Sequence, residues 1–364
     1  MVRRQISLLI SLLLIEFTVP QLVKAQVGPG RSQSNDQVTE LLKEGRKLVD
    51  GKNFAEAIAV YRQAAELDNK NPRIYSGIGY LQASQGNFQA AIDAYQQAIV
   101  LEPNNAEFHY ALGFSQANLG NYPEATTAYR RAAQINPRHV NAHLGLGIVL
   151  TRQKQFNEAV AVYQRVTKLE PRNFRAFELL GNTLIQQERP QDAIAPLTRA
   201  AQLAPRQASV QVNLGTAWLG QGNLEKGMAA FKRAATLEPR NGVIQLQIGR
   251  ILQSQGQVQE ALIAYQRAAA LQSTLVEAQF AVGDLFLEQN DYLSAIIAFR
   301  QVIATAPDNP AGHFKLGTAL RGRNRLPEAI FAFEQAQRLY QKQGKADTAR
   351  EVETLLKELK KSLK

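Results

Sequence analysis

Apolar and small residues recur along residues 38–343 with the three- and four-residue spacing of amphipathic α-helices. The spacing predicts two helices of about 13 residues in every repeat, joined by short polar turns. Gly86-Asn87, Gly120-Asn121 and Gly222-Asn223 are typical of a tight turn between the two helices of one repeat. The pattern therefore predicts an all-α chain of nine tandem helix–turn–helix repeats.

Several columns of residues keep a 34-residue register without any insertion. We expect the glycine and alanine columns to let the two helices of a repeat approach closely. We expect the aromatic column to fill the gap between successive repeats. The glycines are Gly45, Gly79, Gly113, Gly147, Gly181, Gly215, Gly249, Gly283 and Gly317. The aromatic column, in which one leucine stands, is Tyr61, Tyr95, Tyr129, Tyr163, Leu197, Phe231, Tyr265, Phe299 and Phe333.

Ile78-Gly79, Ala91, Tyr95 and Pro103 make the second repeat resemble the tetratricopeptide repeat, and the same pattern runs through residues 38–343. The resemblance implies a right-handed α-solenoid, a superhelix whose concave face is lined by the first helix of each repeat. It also implies binding of peptides or proteins, with no chemistry and no cofactor of its own.

The N-terminal 37 residues lie outside the repeats. Arg3 and Arg4 precede an apolar run at residues 6–15, and Val23-Lys24-Ala25 offers small residues for a signal peptidase. Residues 1–25 are therefore predicted to be a signal peptide that sends the protein to the periplasm or a comparable lumenal space. A retained membrane anchor is the weaker alternative, because the run is about half of the roughly 20 residues that span a bilayer. Residues 26–37 are polar and predict a flexible leader.

Residues 344–364 depart from the repeat pattern and form one apolar stripe with a charged opposite face. A solenoid exposes an apolar face at its end, so this segment is predicted to be a C-terminal capping helix. Docking on a membrane is the alternative, which its lysine-rich end also fits. The stripe consists of Ala349, Val352, Leu356, Leu359 and Leu363.

Large residues at the predicted inner surface of the first helices are candidate anchors for an apolar peptide. They are Tyr80, Tyr110, Phe114, Phe280 and Phe314. The alternative is that they pack between neighbouring repeats, as large apolar residues usually do. Asn182 and Asn213 match two positions of the clamp with which some family members grip a terminal carboxylate. Glu178 and Val243 replace lysines of that clamp, so the clamp itself is absent.

The net charge of the chain is +11, and residues 1–25 carry Arg3, Arg4 and Lys24 against Glu16, which leaves +9. Much of this excess lies in two columns, on the second helices and beside the turns between repeats. A solvated face is one interpretation, and a strip that binds an anionic polymer or lipid is the other. The columns are Arg131, Arg165, Arg199, Arg233 and Arg267, and Arg138, Arg172, Arg206 and Arg240.

Catalytic and metal chemistry finds little support in the sequence. The chain has no cysteine, which excludes disulfides and thiolate sites. His109, His139 and His143 are close in register, but they lack the further ligands that a zinc site needs. Two functions remain: an exported scaffold that assembles a protein complex, or an accessory of an envelope polysaccharide or pilus export machine. Nucleic acid is not expected as a partner of an exported protein.

Repeats five and six are predicted to be the weakest of the array. In repeat five, Glu188-Arg189-Pro190 replaces the small turn residues, Pro196 falls inside the second helix, and Leu197 replaces the aromatic residue. Gly227 replaces alanine in repeat six, where glycine lowers helix stability by roughly 1 kcal/mol. These departures predict a bend or local opening at this point.

Overall fold

The helices begin and end where the repeat pattern places its turns. The computed structural model describes residues 33–362, and within them it contains 19 α-helices and no strand. The predicted all-α solenoid of tandem repeats is confirmed for this part of the chain. The predicted signal peptide and Leu363 lie outside the described residues. No helix in the described part is long and apolar enough to cross a membrane.

The chain divides into two compact blocks, the first ending at Pro205 and the second starting at Arg206. The N-terminal block holds repeats one to five, in which each odd-numbered helix is the first helix of its repeat. Its helices are α1 (Gln33–Asp50), α2 (Phe54–Leu67), α3 (Pro72–Ser84), α4 (Phe88–Leu101), α5 (Ala106–Asn118), α6 (Tyr122–Ile135), α7 (Val140–Arg152), α8 (Phe156–Leu169), α9 (Phe174–Gln186) and α10 (Pro190–Leu203).

The C-terminal block holds repeats six to nine and one additional helix. Its helices are α11 (Ala208–Gly220), α12 (Leu224–Leu237), α13 (Gly242–Ser254), α14 (Val258–Leu271), α15 (Val276–Glu288), α16 (Tyr292–Thr305), α17 (Pro310–Gly322), α18 (Leu326–Lys342) and α19 (Ala346–Lys361). In both blocks each second helix is separated from the next by an antiparallel first helix, so the second helices of one block run in the same direction.

The N-terminal boundary of the repeats differs from the expected one. Helix α1 begins at Gln33, so the last five residues of the predicted flexible leader are helical. Asp36 lies in the first turn of α1, where a carboxylate is stabilised by the helix dipole. The helix therefore begins before the point at which the apolar pattern starts.

The aromatic column packs on the glycine column of its own repeat. An added Cβ on Gly147 would lie 2.5 Å from the ring of Tyr163, and one on Gly79 would lie 2.8 Å from Tyr95. Leu197 fills the same place over Gly181 in repeat five. The aromatic residue therefore occupies the space that the missing Cβ leaves inside a repeat, as well as the joint with the next repeat that we expected. Tyr129 makes both contacts, since its ring also covers Gly145 of repeat four.

The tight turn inside each repeat contains one residue with left-handed backbone geometry. Glycine provides it at Gly86 (φ +79°) and Gly120 (φ +83°), as the Gly-Asn pairs indicate. Glu188 takes the same conformation in repeat five, with φ +60°, and non-glycine residues do so in four other repeats. The unusual turn sequence of repeat five therefore forms the same turn as the other repeats. Its cost is the steric strain that a residue with a side chain has in the left-handed backbone region.

Helix α19 covers the end of the last repeat. Ala349, Val352, Leu356 and Leu359 are buried, and the last three belong to one core cluster with Phe299 and Phe333. The described part of the apolar stripe is thus used for packing inside the protein. The lysines at its end lie on the exposed face of the helix.

Candidate peptide-binding surface

Two of the candidate groove residues are part of the hydrophobic core. Tyr110 is 5% exposed, and its ring lies 5.9 Å from that of Tyr129 and 4.9 Å from the His139 ring. Phe114 is 3% exposed and packs edge-on against Phe88 at 6.2 Å. Because both rings are almost fully buried, neither is available as a groove anchor. This placement corresponds to the packing alternative.

The other three aromatic candidates are only half-buried. Tyr80 lies at the edge of the core cluster of the first repeats. Phe280 contacts Phe299 at 6.0 Å, and Phe314 contacts Phe333 at 5.3 Å. Each of these two rings therefore rests on the aromatic column of its own repeat while part of its surface stays accessible.

Phe280 and Phe314 have charged neighbours that the sequence analysis did not single out. Asp284 follows Phe280 by one helical turn on α15, and Lys315 follows Phe314 directly on α17. The Lys315 Nζ atom lies 2.9 Å from Asp284 Oδ1, which brings the accessible faces of α15 and α17 together. Both side chains are 39% exposed. The surface thus combines two apolar rings with one ion pair, within the C-terminal block.

The opposite charges at these two positions were a signal that sequence analysis could have used. Asp284 stands one residue after the glycine of repeat eight, the position that the groove candidates Tyr80 and Phe114 occupy in repeats two and three. Arg250 occupies the same position in repeat seven. Charged residues at an inner position indicate a polar rim beside the aromatic anchors.

The two asparagine candidates lie in different blocks. Asn182 is 5% exposed on α9, and its Oδ1 accepts a hydrogen bond from Gln186 Nε2 at 2.9 Å. Glu178, one turn earlier, is also buried. Asn213 is half-buried on α11. The Asn182 side chain is therefore occupied in the packing of its own helix.

The histidines take part in local hydrogen bonds of the repeats. Nε2 of His109, His143 and His313 lies 2.9, 3.0 and 2.9 Å from the carbonyl oxygen of the proline six residues earlier. A carbonyl oxygen only accepts, so Nε2 carries the proton in each ring. Burial lowers the pKa of His143 in opposition to the bond with Pro137.

His139 is the N-cap of α7. Its Nδ1 accepts from the Ala142 amide at 3.2 Å, and its Nε2 lies 3.2 Å from Glu107 Oε1 of the preceding repeat. The hydrogen bond from the His139 ring holds the pKa of Glu107 below its ordinary value, although partial burial opposes this effect. Among the residues that the structure describes, no three histidine, cysteine or acidic side chains cluster as a metal site would require.

The arginines of both columns are exposed in both blocks. Nη2 of Arg131 donates to Asn104 Oδ1 at 2.8 Å, and Nη2 of Arg165 donates to the Pro137 carbonyl at 3.3 Å. Between residues 36 and 362, no ion pair within 4.0 Å involves any of the nine. By contrast, Arg130 on the same helix as Arg131 is paired with Glu158 at 2.6 Å.

Comparison with known proteins agrees with this architecture. The family described as "Tetratricopeptide repeat" matches residues 178–242, 212–276, 246–310 and 280–344, and "TPR repeat" matches 45–86. "Cilia and flagella-associated protein 70 middle TPR-like domain" matches residues 82–204. A TPR repeat-containing protein of Picosynechococcus sp. is 35% identical over 60 residues, which span 16% of this chain and 16% of that protein.

Several solved structures are similar to this chain. A tetratricopeptide repeat protein from Parabacteroides merdae superposes with a TM-score of 0.51 at 16% identity, over 69% of this chain and 99% of that one. YrrB, a TPR protein with an unusual peptide-binding site, gives 0.45 at 21% identity over 49% and 92%. PilF of Pseudomonas aeruginosa gives 0.48 at 22% identity over 56% and 92%.

The repeated pairs of antiparallel helices, with their glycine and aromatic columns, define an all-α scaffold for protein–protein interaction. The chain belongs to the tetratricopeptide repeat (TPR) family. Proteins of this family are generally non-enzymatic scaffolds with protein or peptide partners.

Proposed function

We propose that this protein is an exported, non-enzymatic scaffold that holds a protein partner through a peptide segment bound to the first helices of repeats eight and nine. The observation that carries the proposal is the pair of half-buried rings of Phe280 and Phe314 beside the Asp284–Lys315 ion pair. Each ring packs on the core with one face and is accessible on the other. A ring that is already held in place loses little side-chain entropy when it binds a ligand, as a binding hot spot requires.

The proposed ligand is a peptide with apolar side chains and at least one charged or polar group. The two rings would contact the apolar side chains, and the ion pair would orient the peptide backbone or a charged side chain. A groove of this kind is typical of sites that take an extended segment or an amphipathic helix.

The test starts with affinity capture of partners from the protein's own envelope fraction, followed by titration of the captured partner. Phe280→Ala and Phe314→Ala should each weaken binding by about 2 kcal/mol, as truncation of a hot-spot ring does. The matched control is Tyr110→Ala. Tyr110 stands at the same position of its repeat as Phe280 and Phe314, but its ring is buried. This control should lower the melting temperature and leave binding intact. The proposal fails if the two phenylalanine variants lose stability but keep their affinity.

Export is part of the proposal and has a separate test. It rests on the charged start, the apolar run and the small residues around Ala25. Protein recovered from the envelope should begin at Gln26 by N-terminal sequencing and intact mass. Recovery of a chain that retains residues 1–25 would contradict cleavage.

A second candidate function is binding of an anionic polymer or lipid surface by the arginine columns, as an accessory of an envelope polysaccharide or pilus export machine. It is favoured by the exposure of these arginines and the lack of ion pairs to them in the described chain. Raising salt from about 0.1 to about 1 M shortens the Debye length from about 10 to about 3 Å and should abolish such binding.

Glutamine substitution separates this candidate from nonspecific attraction. Arg131→Gln and Arg165→Gln should weaken binding of a polyanion. Arg130→Gln is the matched control, because Glu158 already neutralises that guanidinium. Equal losses in all three variants would indicate only a response to net charge.

A further inference from the structure

A cavity of about 580 Å³ lies between the two helices of repeat three, within the N-terminal block. The α5 residues that line it are His109, Leu112 and Gln116, which stand three and four residues apart and therefore share one face of the helix. Tyr110 and Phe114 lie roughly 150° away around α5, on its other side. We call this space the repeat-three cavity. Its volume is within the range of about 300–1,000 Å³ that ligand sites have.

Gln116 brings an unpaired polar atom to the wall of the repeat-three cavity. The residue is 9% exposed, and its Oε1 atom is buried without a hydrogen-bond partner in the part of the chain that the structure describes. The same register holds leucine in repeats four and five, at Leu150 and Leu184. In repeat two it holds Gln82, whose Oε1 accepts from Asn87 Nδ2 at 3.1 Å. A buried polar atom without a partner costs stability, so the Gln116 amide points to a ligand that pairs with it.

Residues of opposite charge line the two ends of the cavity. Glu124 and Gln116 lie near the turn between α5 and α6, whereas Arg131 and His109 lie two helical turns away from it. Leu112 lies between these ends and is half-buried. Among the described residues, neither Glu124 nor Arg131 is in an ion pair. The one hydrogen bond of the Arg131 side chain goes to a neutral amide, so its charge is not balanced.

The distance between the two charged ends indicates the length of the ligand. Seven residues of helix separate Glu124 from Arg131, which is about 10 Å at 1.5 Å per residue. An extended peptide rises about 3.3 Å per residue, so about three residues cover this distance. A peptide bond offers N–H and C=O together, so it can pair with the Gln116 carboxamide in either orientation of that group. The χ3 torsion of glutamine is soft, which lets the amide turn toward a ligand.

We propose that the repeat-three cavity binds a short extended segment of a protein partner, in which a basic and an acidic residue flank an apolar one. The basic side chain pairs with Glu124 and the acidic side chain with Arg131. The apolar side chain packs on Leu112, and the backbone beside the basic residue bonds with Gln116. This site lies wholly in repeat three, so it does not depend on the proposed surface of Phe280 and Phe314.

Capped synthetic peptides test the chemistry of the ligand. The probes are Gly-Gly-Lys-Leu-Asp-Gly-Gly and Gly-Gly-Asp-Leu-Lys-Gly-Gly, which present the charges in both chain directions, and the neutral Gly-Gly-Gln-Leu-Asn-Gly-Gly. Titrated into the full chain and followed by calorimetry, one of the charged peptides should bind about fivefold more tightly than the neutral one, since two ion pairs contribute. Equal affinity for the neutral peptide, or no binding of either charged peptide, would contradict the proposal.

Leucine substitution tests the role of the unpaired amide. Gln116→Leu installs the residue that repeats four and five carry at this register, and it should weaken binding of the charged peptide about tenfold. It should not lower the melting temperature, because it removes a buried polar atom that has no partner. Gln82→Leu is the matched control and should leave the affinity unchanged, since that amide is already paired. Peptide binding that survives Gln116→Leu, or falls equally with Gln82→Leu, would overturn the assignment.

Substitution of the acid separates this site from polyanion binding by the arginine columns. Glu124→Gln should weaken the charged peptide about threefold and leave the affinity for polyphosphate unchanged or higher. Arg131→Gln should weaken both ligands. Arg130→Gln is the control for the peptide, because Glu158 pairs with that guanidinium. A peptide affinity that falls with Arg131→Gln but not with Glu124→Gln would mean attraction to the arginines alone and would rule out a site with two charged ends.

Discussion

At the residue scale, one register of the repeat supplies a hydrogen bond that holds the first helix of five repeats to the turn before it. Its members stand four residues before the repeat glycine and bond with the carbonyl six residues earlier. Tyrosine, histidine and glutamine all serve, because each offers a donor at a similar reach. The five residues are Tyr75, His109, His143, Gln279 and His313.

This equivalence leads to a prediction for His143. Burial lowers the pKa of this ring in the folded protein, with smaller contributions from Arg165 and His139 in the same direction. The unfolded chain therefore binds more protons as the pH falls below about 6.5, and the free energy of unfolding decreases there. His143→Gln should keep the hydrogen bond and reduce this loss. Chemical denaturation between about pH 7.5 and pH 5.5 measures it, above the range in which carboxylates titrate.

His143→Phe is the comparison variant, since Phe177 occupies this register in repeat five. It removes both the titrating group and the hydrogen bond, so it should reduce the acid dependence and lower stability at every pH. If His143→Gln retains the full loss between these pH values, burial of this ring is not its cause.

The difference between the core rings and the surface rings could not be predicted from register alone. Tyr110, Phe280 and Phe314 stand at the same position of their repeats. Tyr110 is enclosed because His139 and Tyr129 close over it, and His139 belongs to the turn of the following repeat. The exposure of a groove residue thus depends on neighbours such as these, 19 and 29 residues away, whereas the columns depend on spacing within one repeat.

At the element scale, helices of repeats five and six accommodate the residues that break the pattern. Pro196 is the seventh residue of α10, and the helix continues through it to Leu203. On α12, an added Cβ at Gly227 would lie 2.6 Å from Leu219 Cδ2. Glycine stands there because the Leu219 side chain fills the space that the alanine Cβ takes in other repeats. The low helix propensity of Gly227 is therefore accompanied by a packing contact that we did not expect.

Pro196 and Pro190 in the same helix give a matched pair of substitutions. Pro196 lacks the N–H that would bond to the Asp192 carbonyl, whereas Pro190 is at the helix start, where no such bond forms. Pro196→Ala should raise the free energy of unfolding by about 1 to 3 kcal/mol. Pro190→Ala should change it by less than about 0.5 kcal/mol. Equal effects in urea denaturation would show that the position within the helix does not matter.

At the scale of the whole molecule, the repeat number, the helix pairing and the composition of the core follow from the 34-residue columns. Ile263, Ile297 and Phe331 also form a column in the sequence, and the structure leaves each of them 64% exposed. Spacing places a residue on a helix face, and only the packed structure shows whether a neighbour covers that face. The sequence and the structure both single out the region between repeats five and six, because the compact blocks meet in the chain at Pro205 and Arg206.

An array of repeats transmits stability only between neighbours, so two weak repeats in series can divide its cooperativity. We expect this at repeats five and six, where Pro196 removes a helix bond and Leu197 replaces an aromatic ring. In native-state hydrogen exchange, amides of residues 182–235 should exchange faster than those of repeats three and eight. The single tryptophan, Trp218, lies in this region and gives an independent probe. Its fluorescence should change at lower denaturant than the far-ultraviolet circular dichroism of the whole chain. Uniform protection along the array, together with coincident transitions, would contradict a weak point here.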